Sequence, residues 1–343
     1  MRAVRVLRHG APTEVIEVGE VPEPEPGPGQ VRVAVSAASV NFGDIARCRG
    51  GVATVVGEPP FTLGMDVAGT VDAAGEGAEA WVGRRVVAMA EQSLGGMADR
   101  ALCRTVFDAA PELDDVEAAA FTLPFHLGWL ALHERAGLQR GETVLVRSGA
   151  SAVGTAAVQL AVAAGAHVVA TAGGPEKGEV CRALGAERVV DHRTEDVFDA
   201  VMDHTDGHGA DVVFDPVGGD QTEVMWTCAA TGGRYLPVGF NDDPESGLTG
   251  RPLRKVSMAN VSVVGVILAY LDAPLEFRRF GINPFGPEVG ERVHAELLAL
   301  VADGRIRPTI GRRIGLGEVA AALEDHEARR TSGRTVVDLA LAP

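Results

Sequence analysis

Residues 144–165 read VLVRSGASAVGTAAVQLAVAAG, and this stretch decides the fold. An apolar strand runs into a turn of small residues and then into an amphipathic helix. Such a turn holds the phosphates of a dinucleotide, because small residues admit them to the backbone and the helix start carries partial positive charge. Serine and alanine stand where glycine is usual, so the stretch alone fits a cofactor loop and an ordinary turn equally well.

The small residues of this turn can divide the tasks that glycines usually perform. We expect Gly149 to supply the tight turn and Gly154 the close packing of helix against strand. Ser151 and Ala152 add only small side chains between them, and the Ser151 hydroxyl can donate a hydrogen bond to a phosphate oxygen. These residues therefore leave room for a pyrophosphate.

The next predicted strand, HVVATA at residues 167–172, indicates which dinucleotide fits. An NAD site usually has a carboxylate at the end of this strand, whereas Ala172, Gly173 and Gly174 stand here. Lys177 and Arg193 follow and can pair with a 2′-phosphate, which favours NADPH. Alternatively, Lys177 only solvates the helix that follows.

Composition limits the possible partners. The chain has 343 residues, 46% of them apolar, and a formal net charge of −16. Such a length favours two domains, and the excess of negative charge repels nucleic acid and anionic lipid. Cys48, Cys103, Cys181 and Cys228 are widely spaced, and no secretory leader is visible, so we expect reduced thiols and a cytoplasmic location. A small-molecule substrate is the expected partner.

The pattern of strand-like and helix-like segments changes twice along the chain. Residues 1–118 carry short alternating segments with many glycines and prolines, which predict a small β-barrel or sandwich. Residues 119–272 alternate strand-like and helix-like segments, which predict an α/β unit with a doubly wound parallel sheet. Residues 273–343 are too few for a core of their own, so we expect them to pack back on the first unit.

A set of runs along the chain carries a family resemblance: VNFGDIARCRG, LGMDVAGTVDAAGEGAEAWVGRRVVA, GETVLVRSGASAVGTAAVQLAVAAGAHVVATAGGPEK, LGAERVVDHRTED, GADVVFDPVGGD, GGRYLPVGF and NVSVVGV. In this order they resemble the zinc-independent quinone oxidoreductases of the medium-chain dehydrogenase/reductase superfamily. The resemblance implies a GroES-like catalytic domain at 1–118 and 273–343. It also implies a Rossmann cofactor domain at 119–272.

The resemblance also implies a role for individual residues around NADPH. Those expected on the pyrophosphate are Ser151, Ala152, Val153 and Gly154. Those expected at the adenosine phosphate are Gly173, Lys177 and Arg193. Those expected at the nicotinamide end are Pro216, Val217, Gly218, Gly219, Gly239 and Phe240. Asn41 and Asp44 are expected to face the nicotinamide and the substrate.

The places where zinc-containing relatives hold their metal carry other residues here. Asn41, Met65 and Asp66 stand where the superfamily uses a cysteine and a His-Glu pair, and the cysteines form no cluster. Zinc needs thiolate or imidazole ligands in a tetrahedron, so we predict no metal.

Without a Lewis acid, an electron-poor acceptor is the expected substrate. A quinone or an α,β-unsaturated carbonyl can accept hydride while a hydrogen-bond donor holds the developing anion. We expect Asn41 to be this donor and His126 to be a second one, although His126 can equally be a core histidine and Asp44 a helix N-cap. Two other functions stay open: reduction of an enoyl thioester, and cofactor binding without turnover.

The apolar run at residues 261–268, VSVVGVIL, comes last in the predicted parallel sheet. It contains no lysine or proline, so an exposed edge here would be open to pairing. We expect a homodimer through this edge, and the resemblance implies the same arrangement. Alternatively, the loop at residues 274–287 covers the edge within one chain.

Overall fold

The structure is a computed structural model that describes residues 1–51, 58–239, 253–271, 278–279 and 281–341. Contacts between residues divide the chain into two compact units. The first unit comprises Met1–Thr122 and Pro308–Pro343, and the second comprises Leu123–Arg307.

The described residues form the following elements. The strands are β1 (Arg2–Val6), β2 (Ile16–Glu20), β3 (Val31–Ser39), β4 (Phe61–Thr62), β5 (Asp66–Ala74), β6 (Arg85–Ala90), β7 (Arg100–Asp108), β8 (Thr143–Val146), β9 (His167–Ala172), β10 (Arg188–Asp191), β11 (Ala210–Asp215), β12 (Ala229–Pro237), β13 (Ser262–Val263), β14 (Ile310–Ile314) and β15 (Arg334–Asp338). The α-helices are α1 (Pro12–Val15), α2 (Phe42–Arg49), α3 (Asp115–Ala119), α4 (Thr122–Trp129), α5 (Ala152–Ala164), α6 (Pro175–Ala183), α7 (Val197–His204), α8 (Thr222–Thr227), α9 (Leu253–Ala259), α10 (Pro287–Ala302) and α11 (Val319–Glu327). A π-helical segment, Leu130–Arg135, follows α4.

The first unit is built around strand β3, whose residues alternate between buried and half-buried positions over VRVAVS. Strand β3 pairs with β5, β5 with β6, and β6 with β7, and β7 returns to pair with the first half of β3. The second half of β3 pairs with β15, which pairs with β14. Strands β2, β1 and β4 form a second sheet. This closed arrangement confirms the predicted β-barrel character of the unit.

The second unit contains one parallel sheet with the strand order β10-β9-β8-β11-β12-β13. The central strands read as nearly continuous apolar runs because helices cover both faces of a parallel sheet. Strand order reverses between β8 and β11, so the sheet is doubly wound, as the sequence predicts. The carboxyl ends of these two strands therefore flank the crevice where such folds bind ligands.

The chain returns to the first unit later than the sequence analysis expects. The predicted return is at residue 273, whereas the contacts place helix α10 in the second unit and the return at Pro308. Side-chain contacts hold α10 there: His294 hydrogen-bonds to His126, and Arg292 pairs with Glu134. The prediction used only the length of the segment, and length does not show that α10 has polar partners in the second unit.

The apolar run at residues 261–268 forms less strand than expected. Only Ser262 and Val263 pair with β12, and they lie at the edge of the sheet as predicted. Residues 272–277 and 280, which include part of the loop at 274–287 that could cover this edge, lie outside the described residues.

The four cysteines are buried and form no disulfide. Burial raises the pKa of the Cys181 thiol to about 11, which keeps it protonated and unreactive. Within the described ranges, no helix combines the length and apolarity needed to cross a bilayer.

The parallel sheet should be the main source of stability in the second unit. Leu145, in central strand β8, is fully buried, so Leu145→Ala should lower the free energy of unfolding by about 2 to 5 kcal/mol. Urea unfolding measures this as a lower midpoint with an unchanged slope. Leu7 is 44% exposed, and Leu7→Ala should change stability by less than about 0.5 kcal/mol. Equal effects of the two substitutions would contradict this account of the core.

Candidate functional site

The turn between β8 and α5 has the shape of a phosphate loop, and two glycines permit it. A Cβ on Gly154 would overlap the Ser148 carbonyl oxygen and lie 2.9 Å from the Gly149 Cα, so the first turn of α5 approaches the backbone of the turn after β8 as closely as glycine allows. A Cβ on Gly149 would lie 2.8 Å from the Ala170 Cβ and 2.9 Å from the Cys181 Sγ. Gly154 thus permits close packing of α5 against this turn, whereas the prediction named packing against the strand.

The turn also depends on Ser148, which was not among the predicted residues. Ser148 has a φ of 55°, whereas Gly149 is needed for close packing against β9 and α6. Gly149 is a central residue of the turn that the Ser151 N–H closes by donating to the Ser148 carbonyl at 2.9 Å, as expected. The Ser148 N–H donates to Thr171 Oγ1 at 3.1 Å, which helps to hold this uncommon conformation.

Ser151 is the N-cap of helix α5, and Ala152, Val153 and Gly154 form its first turn. The Ser151 Oγ accepts a hydrogen bond from the Gly154 N–H at 3.1 Å, which leaves its own O–H available as a donor. The first N–H groups of a helix lack acceptors within the helix and carry partial positive charge. Helix α5 therefore presents backbone donors at the carboxyl end of β8, where an anion can bind.

Arg193 lies over the glycine turn that ends strand β9. A Cβ on Gly173 would lie 3.1 Å from the Arg193 Nε, and one on Gly174 would lie 3.3 Å from its Nη1. Gly174 has a φ of 94°, which few other residues adopt, and it precedes helix α6, which carries Lys177 in its first turn. The structure thus brings Gly173 and Arg193 together, as expected for a site that holds a phosphate.

Asp191, at the end of β10, belongs to this corner although the sequence analysis did not name it. Its Oδ1 accepts hydrogen bonds from the Gly174 N–H and the Arg193 N–H, both at 3.1 Å. These backbone donors lower the pKa of the Asp191 carboxyl, so it is ionised at neutral pH. Its position at the carboxyl end of a predicted parallel strand is the signal that could have identified it.

Two further charged residues meet across the crevice between β8 and β11. Arg147 follows β8 directly, and its Nη1 donates to both oxygens of Asp215, at 3.2 and 3.1 Å, and to the Gly218 carbonyl at 2.7 Å. The Asp215 Oδ1 accepts from the N–H groups of Val217 and Gly218 at 2.9 and 3.0 Å. The loop at residues 216–219, expected near the nicotinamide, is therefore tied to two buried charges.

The remaining residues of the expected nicotinamide end are partly described. A Cβ on Gly239 would overlap the Pro216 carbonyl oxygen, so the segments that contain these two residues are in close contact. Phe240 lies outside the described residues.

In the first unit, Asn41 belongs to a buried polar cluster with Ser39, Asp66 and Arg334. The Arg334 Nη2 donates to Asp66 Oδ2 at 2.6 Å and to Asn41 Oδ1 at 2.8 Å. The Asn41 Nδ2 donates to Ser39 O and to Asp66 Oδ2, both at 3.3 Å. These two bonds are longer than the usual distance of about 2.9–3.0 Å for N–H···O, so the Asn41 amide has weak partners within its own unit.

Asp44 is fully buried and has a structural role in helix α2. Its Oδ2 accepts from the Asn41 N–H at 2.9 Å, and its Oδ1 accepts from Arg47 Nη1 at 3.1 Å. Asn41 is the N-cap, and Asp44 is the third residue of the helix rather than its cap. The described geometry thus assigns both carboxylate oxygens to helix and ion-pair contacts and does not support the expected role of Asp44 toward a substrate.

The residues where zinc-containing relatives hold their metal do not fit zinc. Asp66 is fully buried, and a guanidinium, not a thiol or an imidazole, lies beside it. Burial raises the pKa of the Asp66 carboxyl, and Arg334 opposes this shift. A fixed positive charge next to the carboxylate repels a metal cation. Within the described part of the chain, no three His, Cys, Asp or Glu side chains are grouped to hold a metal.

His126 is a core residue of the second unit. It is fully buried, with Nδ1 3.0 Å from Tyr270 Oη and Nε2 3.1 Å from His294 Nδ1. Burial, and then the neighbouring His294, hold its pKa well below the ordinary value, so the ring is neutral. Both ring nitrogens are engaged, so the described geometry does not support the expectation that His126 donates to a substrate. The alternative, a core histidine, agrees with the structure.

Sequence families match both units. Residues 27–116 match the alcohol dehydrogenase GroES-like domain, and residues 152–280 match the family described as zinc-binding dehydrogenase. A quinone oxidoreductase-like protein 2 homolog of Nematostella vectensis is 31% identical over 308 residues, which cover 89% of this chain and 80% of that protein.

Two further comparisons are informative. The quinone oxidoreductase of Thermus thermophilus, solved also in complex with NADPH, is 30% identical, with a TM-score of 0.77 over 99% of this chain and 100% of that one. A phthioceranic/hydroxyphthioceranic acid synthase of Mycobacterium tuberculosis is 36% identical over 250 residues, or 71% of this chain. The matched part is 11% of the length of that synthase.

These matches agree with the GroES-like and Rossmann folds described above. The chain belongs to the quinone oxidoreductase family of the medium-chain dehydrogenase/reductase superfamily.

Proposed function

We propose that this protein is an NADPH-dependent oxidoreductase that reduces a quinone or an α,β-unsaturated carbonyl compound without zinc. The observation that carries the proposal is the corner formed by the α5 N-terminus and the Gly173–Gly174 turn. Backbone donors at Ser151–Gly154 suit a pyrophosphate, and Arg193, which lies beside Gly173 and Gly174, can pair with a 2′-phosphate. The relative from Thermus thermophilus was solved in complex with NADPH, which supports the same cofactor here.

Different residues of the second unit would bind different parts of this cofactor. Ser151, Ala152 and Val153 would bind the pyrophosphate, and Gly173, Lys177 and Arg193 would bind the adenosine phosphate. The loop at residues 216–218, with Gly239, would line the nicotinamide end. When bound, NADPH supplies the hydride.

Asn41 is the proposed donor to the anion that develops on the acceptor. Its two N–H bonds within the first unit, at 3.3 Å, are weak enough to be exchanged for a stronger acceptor. Arg334 would keep the amide oriented by donating to its Oδ1 at 2.8 Å. A preorganised donor of this kind stabilises an enolate or a phenolate more than the neutral acceptor.

Reduction of an enoyl thioester is the second candidate function. The 36% identity to part of the acid synthase from Mycobacterium tuberculosis favours it. Against it stands the net charge of −16, because a coenzyme A or carrier-protein partner is itself anionic.

The substrate class can be tested by the consumption of NADPH with a small panel of acceptors in the presence of a chelator. We expect turnover with a benzoquinone, phenanthrenequinone or an alkenal, and little turnover with crotonyl-CoA, because no large cationic surface is evident from the sequence. Faster turnover of crotonyl-CoA would replace the first function with the second. NADPH binding without turnover of any acceptor would indicate a homologue that has lost catalysis.

The cofactor preference can be tested by two substitutions at the adenosine corner. Arg193→Ala and Lys177→Ala should each raise the Kd for NADPH by roughly 10-fold or more and leave the Kd for NADH nearly unchanged, because charge-assisted bonds to phosphate are lost. Isothermal titration calorimetry measures both constants. Arg182, on the same helix as Lys177, pairs with Glu179 at the surface, so Arg182→Ala is the matched control. Tighter binding of NADH than NADPH by the wild-type protein would contradict the assignment.

We also propose that the protein forms a homodimer through the edge strand β13. The Val264 N–H donates to the Tyr235 carbonyl at 2.9 Å, inside the sheet. The backbone N–H and C=O of Val263 therefore point away from β12, and this residue is 37% exposed. An edge that no strand of the described residues pairs is completed when a second copy adds its own strand.

The dimer can be tested by removing the outward donor. Val263→Pro should raise the dimer dissociation constant by at least about 10-fold, since it removes a ladder donor, whereas Val263→Ala keeps the N–H and should leave the dimer intact. Sedimentation velocity at micromolar concentration measures both. A wild-type chain that sediments as a monomer over this range would contradict the proposal.

A further inference from the structure

The pair Arg147 and Asp215 is the most deeply buried ion pair at the carboxyl ends of the parallel strands that we describe for the second unit. Asp215 is fully buried, and the Arg147 side chain is 11% exposed. Burying two charges is costly, and removing one partner leaves an uncompensated charge in the interior. Because the pair is costly to bury and lies at the edge of the sheet where ligands bind, we expect it to have a role in ligand binding.

The pair lies at the crevice between the carboxyl ends of β8 and β11. Arg147 is the residue after β8, and Asp215 is the last residue of β11. These neighbouring strands are the two between which the strand order reverses. The pair therefore bridges the two halves of the sheet at the point where doubly wound folds bind dinucleotides.

The pair also holds one residue of the neighbouring loop, Gly218, through both of its backbone polar groups. Gly218 donates its N–H to Asp215 Oδ1 at 3.0 Å and accepts at its carbonyl from Arg147 Nη1 at 2.7 Å. Its backbone angles, φ 68° and ψ −147°, are open to glycine and to few other residues. A flexible residue is thus fixed in one conformation by two opposite charges.

Tyr235 completes the arrangement from strand β12. Its hydroxyl donates to Asp215 Oδ2 at 2.8 Å, and burial, followed by the Asp215 charge, raises the pKa of this hydroxyl, which stays protonated. The Asp215 carboxylate is therefore oriented by donors from three segments: the end of β8, the loop at 216–218, and β12.

We propose that Arg147 and Asp215 are positioning residues for the nicotinamide half of the cofactor. They clamp Gly218, so that the loop at residues 216–218 presents a fixed surface at its side of the crevice. This inference rests on the proposed function, because the ligand is NADPH. The clamp acts on the nicotinamide half, while the adenosine half is held at Ser151–Gly154, Gly173 and Arg193.

The test compares the wild-type protein with Arg147→Met and Arg147→Lys. In the free protein, amide hydrogen exchange at Val217 and Gly218 should be at least about 10-fold faster in Arg147→Met, because the loop opens more often. The Kd for NADPH should rise by at least about 10-fold, whereas the Kd for 2′,5′-ADP, which lacks the nicotinamide half, should change by less than about 3-fold. Arg147→Lys keeps the positive charge, so its loop exchange rates and its Kd for NADPH should be close to those of the wild-type protein.

Arg234→Met is the matched control, because Arg234 also links β12 to the β8 region. It pairs with Glu142 at 2.7 Å, at the amino end of the same sheet. The Arg234→Met variant should be less stable than the wild-type protein. Its amide hydrogen exchange at Val217 and Gly218 and its Kd values for NADPH and 2′,5′-ADP should be unchanged. If Arg147→Met does not fold, Tyr235→Phe removes a single donor to Asp215 and should still accelerate the loop amides by about 2- to 10-fold.

Three results would overturn the proposal. These are unchanged exchange at Val217 and Gly218, equal weakening of NADPH and 2′,5′-ADP, and an equal effect of Arg234→Met. Absence of NADPH binding by the wild-type protein would reject the proposed function, while the exchange measurement would still decide whether Arg147 clamps the loop.

Discussion

The close approach of helix α5 to the backbone of the turn after strand β8 is the constraint on which the rest of the second unit depends. The approach requires a residue without a Cβ at Gly154, because any side chain there would overlap the Ser148 carbonyl. It brings the first turn of α5 to the carboxyl end of β8, beside the point where the strand order reverses. Backbone donors, a capping serine and a crevice meet there, and an anion-binding site follows from their geometry.

Buried charges hold the polar ends of the strands in both units. In the second unit, Arg147 neutralises Asp215, and in the first, Arg334 neutralises Asp66. Each carboxylate also accepts hydrogen bonds from uncharged donors, so the desolvation cost is partly offset. These pairs carry no net charge, yet each orients a group that the proposed function uses: the backbone of Gly218 in one unit and the Asn41 amide in the other.

Periodicity and residue size predicted much of the fold. The short alternating segments of residues 1–118 predicted a β-barrel or sandwich, and the alternation of strand-like and helix-like segments in residues 119–272 predicted a doubly wound parallel sheet. The left-handed conformation of Ser148 could not be predicted, because it depends on a hydrogen bond to Thr171, which is distant in the sequence. The late return of the chain to the first unit depends on side-chain contacts of α10 with residues of the second unit, and sequence pattern does not show these.

The candidate site was predicted less completely than the fold. Gly173 and Arg193 meet as expected, but Asp191, Arg147 and Asp215 were missed, although all three are charged residues at the ends of predicted parallel strands. His126 has the residue type of a catalytic donor, but burial with Tyr270 and His294 makes it a core residue. Residue type suggests chemistry, whereas the partners that already bind a side chain decide whether it is available.

The central claim is that one dinucleotide spans the crevice from the Gly173–Gly174 turn to the loop at residues 216–218. Amide hydrogen exchange of the wild-type protein, with and without saturating NADPH, tests this most directly. The account predicts protection by NADPH at residues 151–154, 173–174 and 217–218 together. Protection absent from either side of the crevice, or confined to other parts of the chain, would contradict it.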